Sequence, residues 1–187
     1  PAPSPSPTPA PTAPTTISLA DASDDGFKGD RITTQTVVTL TGTATAGDTV
    51  VVLRDATELG RATVAANGQF SVGTTSAPLI NGYNDLKLRA LDSRQTASAD
   101  TPFHVTVDSL TPQQHFLAGS YVYGGQTVYF GRYLPPGYET APSGKTWPLL
   151  VFFHGVGENS SSATGDNALA QTSAHGPLKH IAANQTN

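Results

Sequence analysis

Among its 187 residues the chain has no cysteine and no methionine, and only 13% are charged. Without cysteine there can be no disulfide, no thiolate metal site and no thiol nucleophile. The redox compartment stays open, because bacterial exported proteins often do without disulfides. Charge at about half the usual quarter, beside 15 Pro and 18 Gly, excludes a long helical bundle or coiled coil. Ten basic side chains against 14 acidic ones give a net charge of −4, with no Lys/Arg cluster. No electrostatic footprint for nucleic acid or an anionic membrane is therefore present. Long apolar runs are missing too. The longest strongly apolar stretch is Leu149 to Phe153, against the roughly 20 residues of a membrane helix, so no membrane span is expected.

The chain falls into three textures. In residues 1–15, Pro1, Pro3, Pro5, Pro7, Pro9, Pro11 and Pro14 alternate with Ala, Ser and Thr. Such a tract favours extended polyproline II and makes a semi-rigid linker. With no initiating methionine, this reads either as the spacer left after an export or anchor segment was cut away, or as a boundary inside a longer linker.

Residues 16–108 show short runs of Val, Leu, Phe and Thr with period two, punctuated by Gly, Asn and Asp, as strands require. Val38 and Leu40 alternate with Thr39 and Thr41, and Thr49 to Leu53 is nearly continuous apolar strand. Arg61 to Ala65 and Gln69 to Val72 flank Ala66-Asn67-Gly68, which predicts a hairpin because both turn residues tolerate positive φ. Leu86, Leu88 and Ala90 alternate with Lys87, Arg89 and Leu91, and Phe103, Val105 and Val107 alternate with His104, Thr106 and Asp108. About seven short strands without helical period predict an all-β, two-sheet antiparallel sandwich, with His104 on its solvent side.

From residue 109 the texture changes again. Gly124-Gly125 joins Tyr121–Tyr123 to Thr127–Tyr133 as a predicted hairpin. Five consecutive apolar residues, Leu149 to Phe153, suggest a strand buried on both faces, as in an α/β sheet. Pro177 to Ala183 reads as a helix, with Pro near its start and Leu178, Ile181 and Ala182 on one face. Charge divides at the same place: residues 16–108 carry 11 acidic and 7 basic groups, residues 109–187 three of each.

SDDGFKGDRIT, LTGTATAGDTVVVLRD, ANGQFSV, LINGYNDLKLRALDSRQTAS and FHVTVDS, in that order over residues 19 to 109, resemble the bacterial Ig-like repeats of large surface adhesins and exported enzymes. The resemblance implies an extracellular or cell-surface location, contact with a surface or polymer, and structural Ca²⁺ on edge aspartates, which by motif position are Asp24, Asp30 and Asp92. Calcium wants six to eight hard oxygens, which three carboxylates with loop carbonyls would supply. The same aspartates equally suit turns that bind their own backbone. Asp25 and Arg94-Gln95 depart from the usual pattern and put the second loop's geometry in question.

YVYGGQTVYFGRYLPPGYE, WPLLVFFHGVGENS and HGPLKHIA are similar to the N-terminal part of secreted α/β-hydrolase esterases, the polyhydroxyalkanoate depolymerase-like and dienelactone hydrolase-like enzymes. That likeness implies that residues 109–187 open a catalytic domain acting on a carboxylic ester. Acyl transfer needs backbone N–H groups aimed at the developing oxyanion. By the resemblance the Val156 N–H would be one donor, with Gly155 and Gly157 permitting close approach and His154 bracing the loop. Alternatively the glycines only make a tight turn. A hydrolase of this kind also needs a G-x-S-x-G serine, then an acid, then a histidine. No such elbow occurs here, so the chain is expected to be inactive alone, as the front part of a longer polypeptide. His154, His175 and His180 match no zinc spacing. The rival expectation is an adhesion or binding protein whose tail is not catalytic.

Overall fold

The computed structural model describes residues 9–153, 155 and 176–184, and the chain divides after Val107 into two units, Pro1–Val107 and Asp108–Asn187. In the first unit, eight strands form two layers. β1 (Thr15–Leu19), β3 (Thr39–Thr43) and β6 (Gln69–Gly73) make a three-stranded sheet in the order β1-β3-β6. β2 (Ile32–Thr33), β4 (Thr49–Arg54), β5 (Thr57–Thr63), β7 (Gly82–Leu91) and β8 (Thr101–Val107) make the second, in the order β2-β8-β7-β4-β5. All pairings are antiparallel except β2 with β8, where Ile32 and Thr33 run parallel to Thr106 and Val107.

Alternation along each strand sends one set of side chains between the layers. Leu40, Phe70 and Val72 from one sheet meet Val50, Val52, Leu59, Leu86, Leu88, Phe103, Val105 and Val107 from the other. β4 lies between β7 and β5, and Val51 on its outer face is also buried, which explains its unbroken apolar run. His104 stands on the outer face as expected, half-covered by the Tyr83 ring stacked on it at 5.2 Å.

The hairpin expected across Ala66-Asn67-Gly68 is corrected. The turn forms: Gly68 has φ +80°, its N–H donates to the Ala65 carbonyl, and the Gln69 N–H donates to Asn67 Oδ1. The flanking strands nevertheless join different sheets, β5 beside β4 and β6 beside β3. An Asn-Gly turn sets local backbone geometry only. Which layer each strand joins depends on where its apolar face is covered, and Leu59 and Phe70 enter the core from opposite sides.

In the second unit, β9 (Phe116–Tyr123) and β10 (Gln126–Tyr133) pair in full register as a two-stranded sheet. Gly124 and Gly125 both have positive φ, 58° and 76°, as a type I′ turn demands. A 3-10 turn, Pro112–His115, precedes the hairpin, and α1 (Gly176–Asn184) forms where the helix was expected. The Leu149–Phe153 run departs from expectation. It is neither strand nor buried, with Leu149 88% and Phe153 86% exposed. A buried parallel strand needs neighbours on both edges, and among the described residues none pairs with it.

Candidate functional site

The acidic loop between β1 and β2 begins with one helical turn. The Ser23 and Asp24 N–H groups donate to the Ala20 carbonyl, and the turn is pinned to β3 where the Ala20 N–H donates to the Thr39 carbonyl and the Thr39 N–H to Ser23 Oγ. Two glycines at positive φ, Gly26 and Gly29, then reverse the chain. This reversal brings the Gly29 N–H to Asp24 Oδ2 at 2.6 Å. Asp24 is buried, and its Oδ1 has no hydrogen-bond partner. The Lys28 ammonium donates to the Asp21 carbonyl at 2.7 Å and to the Asp24 carbonyl.

The other two carboxylates of the loop behave oppositely. Burial pushes the Asp25 carboxyl up, but hydrogen bonds from Thr34 and Thr33 outweigh it, and the net pKa lies below 3.8. Asp30 accepts the Ile32 N–H at 2.8 Å. Burial comes first in raising its pKa, and the charges of Asp24 and Asp25 add to it. Arg31, at φ +65°, lays its guanidinium over the Phe103 ring, 4.5 Å from the centroid.

The structure brings Asp24 and Asp30 into one loop but leaves Asp92 apart. Parallel pairing of Ile32 with Thr106, beside Tyr83, puts Asp30 near the level of Asp85. Asp92 lies seven residues further along the same chain, just past the end of β7, about 23 Å away at about 3.3 Å per residue. There it is occupied: Arg94 Nη2 donates to Oδ2 at 2.6 Å, and the Arg94 and Thr96 N–H groups donate to Oδ1. The Arg94 bonds, with the Thr96 N–H next, hold its pKa below 3.8. Arg94, where the repeat pattern departs, is thus the residue that claims this carboxylate.

Of the oxyanion-loop candidates, His154, Val156 and Gly157 lie outside the described residues, and Gly155 is exposed. The apolar run before them does meet the helix after them: a Cβ on Gly176 would stand 2.5 Å from the Phe152 ring. Two further residues carry no signal in the sequence. His115, in the second unit, is buried with Nε2 2.8 Å from Asp108 Oδ2 and Nδ1 2.8 Å from the Leu134 carbonyl. Asn84, in the first, is buried with its amide fully bonded: Nδ2 donates to the Ile80 and Gly82 carbonyls, while Oδ1 accepts from the Ile80 N–H and Arg54. A polar residue at every second position of a strand usually faces out. Only Asn84's inward parity, shared with Leu86 and Leu88, could have marked it.

The first unit is also strung in line. Thr101 Oγ, at the start of β8, donates to the Pro14 carbonyl where the chain enters the sandwich. The chain leaves at Val107, the other end of β8.

A family model described as "Bacterial Ig-like domain" matches residues 11–109. Among solved structures, that of a bacterial immunoglobulin-like domain from the M. primoryensis ice-binding adhesin is similar, with 22% identity over 52% of this chain and 96% of that one, and a TM-score of 0.29. No curated protein matches.

Proposed function

The chain belongs to the bacterial Ig-like domain family, and on that premise we propose that the sandwich is a stiff module set in series in an exported, cell-surface protein. It holds the downstream part of the chain away from the envelope and offers its faces for contact with a surface or polymer. One observation carries this reading: entry at Pro14 and exit at Val107 lie at opposite ends of β8, about 20 Å apart at about 3.3 Å per residue. Force or displacement applied through the two ends acts along a strand paired with β7 over its whole length, as a spacer requires. The Pro-rich composition ahead of the sandwich suits the same role, since polyproline II is itself semi-rigid.

The test uses the absence of native cysteine. Spin labels on a Thr12→Cys, Ser109→Cys double variant should give one narrow distance distribution. A broad distribution reaching short distances would refute the spacer reading.

A second reading concerns residues 109–187 as the opening of a serine ester hydrolase. The contact between Phe152 and Gly176 favours it, because an apolar run there meets a helix start. In that scaffold the Val156 N–H would help hold an oxyanion, while the nucleophile would come from a G-x-S-x-G segment that these residues do not contain. The chain alone should neither hydrolyse p-nitrophenyl esters nor take up a fluorophosphonate label. Labelling would show a nucleophile within the chain and sink this assignment.

A further inference from the structure

We infer that the Lys28 ammonium stands in for a bound cation in the Asp21–Asp30 loop, so that this loop keeps its shape without calcium. The family resemblance implies calcium on Asp24, Asp30 and Asp92, and these residues do not fit that ion. Asp92 sits beyond the far end of β7 with its carboxylate held by Arg94 and Thr96. Within the loop, Asp24 Oδ2 already accepts the Gly29 N–H, and Asp30 Oδ1 the Ile32 N–H. Calcium needs six to eight hard oxygens, and these commitments leave far fewer free.

The oxygens that do converge meet a different cation. The Asp21 and Asp24 carbonyls, both left without a partner inside the single turn that starts at Ala20, receive the Lys28 ammonium. Carbonyl oxygens left unpaired in this way carry partial negative charge, so a positive charge is favoured in that spot. Lys28 also brings its charge into a stretch holding Asp21, Asp24, Asp25 and Asp30. Burial is the main cause that raises the Asp30 pKa, and the charges of Asp24 and Asp25 add to it. A tethered ammonium serves both needs, closing the turn and offsetting the repulsion, and its local concentration does not depend on the medium.

The loop's backbone supports the assignment. Gly26 and Gly29, with φ of +83° and +88°, turn the chain so that Lys28 points back over the turn it caps. Asp24 Oδ1 remains the one buried loop oxygen without a donor.

The experiment compares melting of the sandwich in the full chain, wild type, Lys28→Met and Lys28→Arg, in chelator and in calcium chloride. The wild-type midpoint should be the same in both media. Lys28→Met should melt lower by about 4–8 °C, and Lys28→Arg should recover most of that loss. Independently, although both side chains are exposed, an amine-reactive ester should acylate Lys28 more slowly than Lys87, because an ammonium holding two carbonyls must break away first. A wild-type midpoint that falls in chelator would overturn the proposal. So would Lys28→Met melting with wild type, or Lys28 labelling as fast as Lys87.

Discussion

Gly60 and Gly73 approach each other across the two sheets so closely that a Cβ on Gly60 would stand 2.0 Å from the Gly73 carbonyl oxygen. They belong to β5 and β6, the strands that the Asn67-Gly68 turn delivers to different layers. Beside them the Ser76 N–H donates to the Leu59 carbonyl, which fills one acceptor on the outer edge of β5.

Gly60→Ala should therefore destabilise the sandwich by about 1–3 kcal/mol, the cost of forcing extra volume against backbone. Gly47→Ala is the control. Gly47 has φ +87° and nothing near its would-be Cβ, so the change there meets only conformational strain, about 1 kcal/mol. Urea unfolding midpoints of the two variants should separate in that order, and equal midpoints would show that the close approach is relaxed in solution.

Asn84→Leu should cost about 2–4 kcal/mol, since it strands the Ile80 and Gly82 backbone groups in a buried site. The check is denaturant unfolding together with faster amide exchange at Ile80, whose N–H loses its acceptor.

Two aspartates of one loop should respond to acid with opposite signs. Asp25 has a folded pKa below 3.8, so it contributes stability above 3.8 that is lost as pH falls through the folded value. Asp30 has a folded pKa above 3.8, so its contribution is complete below 3.8 and is lost as pH rises through the folded value. At neutral pH Asp25→Asn should destabilise and Asp30→Asn should stabilise, and both differences should shrink as the solution is brought below pH 3.8. Stability measured at a series of pH values tests this, and equal signs at neutral pH would contradict it.

His115→Ala should loosen the hairpin of the second unit. The ring touches Asp108, the Leu134 carbonyl and the Tyr133 ring, at 5.6 Å between centroids, while the Leu134 N–H donates to the His115 carbonyl. Removing the ring leaves Asp108 Oδ2, in a largely buried carboxylate, without its hydrogen-bond partner, which typically costs about 1–3 kcal/mol. Amide exchange at Leu134 should quicken, with strand amides of the sandwich unchanged.

Much of the sandwich was legible in the chain. Leu86, Leu88 and Ala90 face in and Lys87 faces out because inward and outward positions on a strand alternate whatever the partner. The two-residue β2 was not legible, being too short for periodicity. Nor was the parting of β5 and β6, because the signal at Asn67-Gly68 concerns four backbone dihedrals and is silent about sheets. The Leu149–Phe153 run misled for a related reason: apolar composition says that a segment can be buried, and only a neighbouring strand can bury it. At the acidic loop the aspartates were easy to pick out, but their partners were not. Asp92 is claimed by Arg94, two residues on, and Asp24 is covered by a chain reversal through Gly26 and Gly29.

The order of residues alone thus dictates which side chains of each strand are apolar-facing, where the chain turns, and that acidic loops and a Gly-rich hairpin exist. These are consequences of local geometry, set within a few residues. Three-dimensional packing was needed to settle which sheet each strand joins, that Pro14 is tied to Thr101 across 87 positions, and that the Lys28 ammonium reaches the Asp21 and Asp24 carbonyls. Such choices rest on covering apolar surface and pairing buried polar groups between segments far apart in the chain, and no local pattern records them.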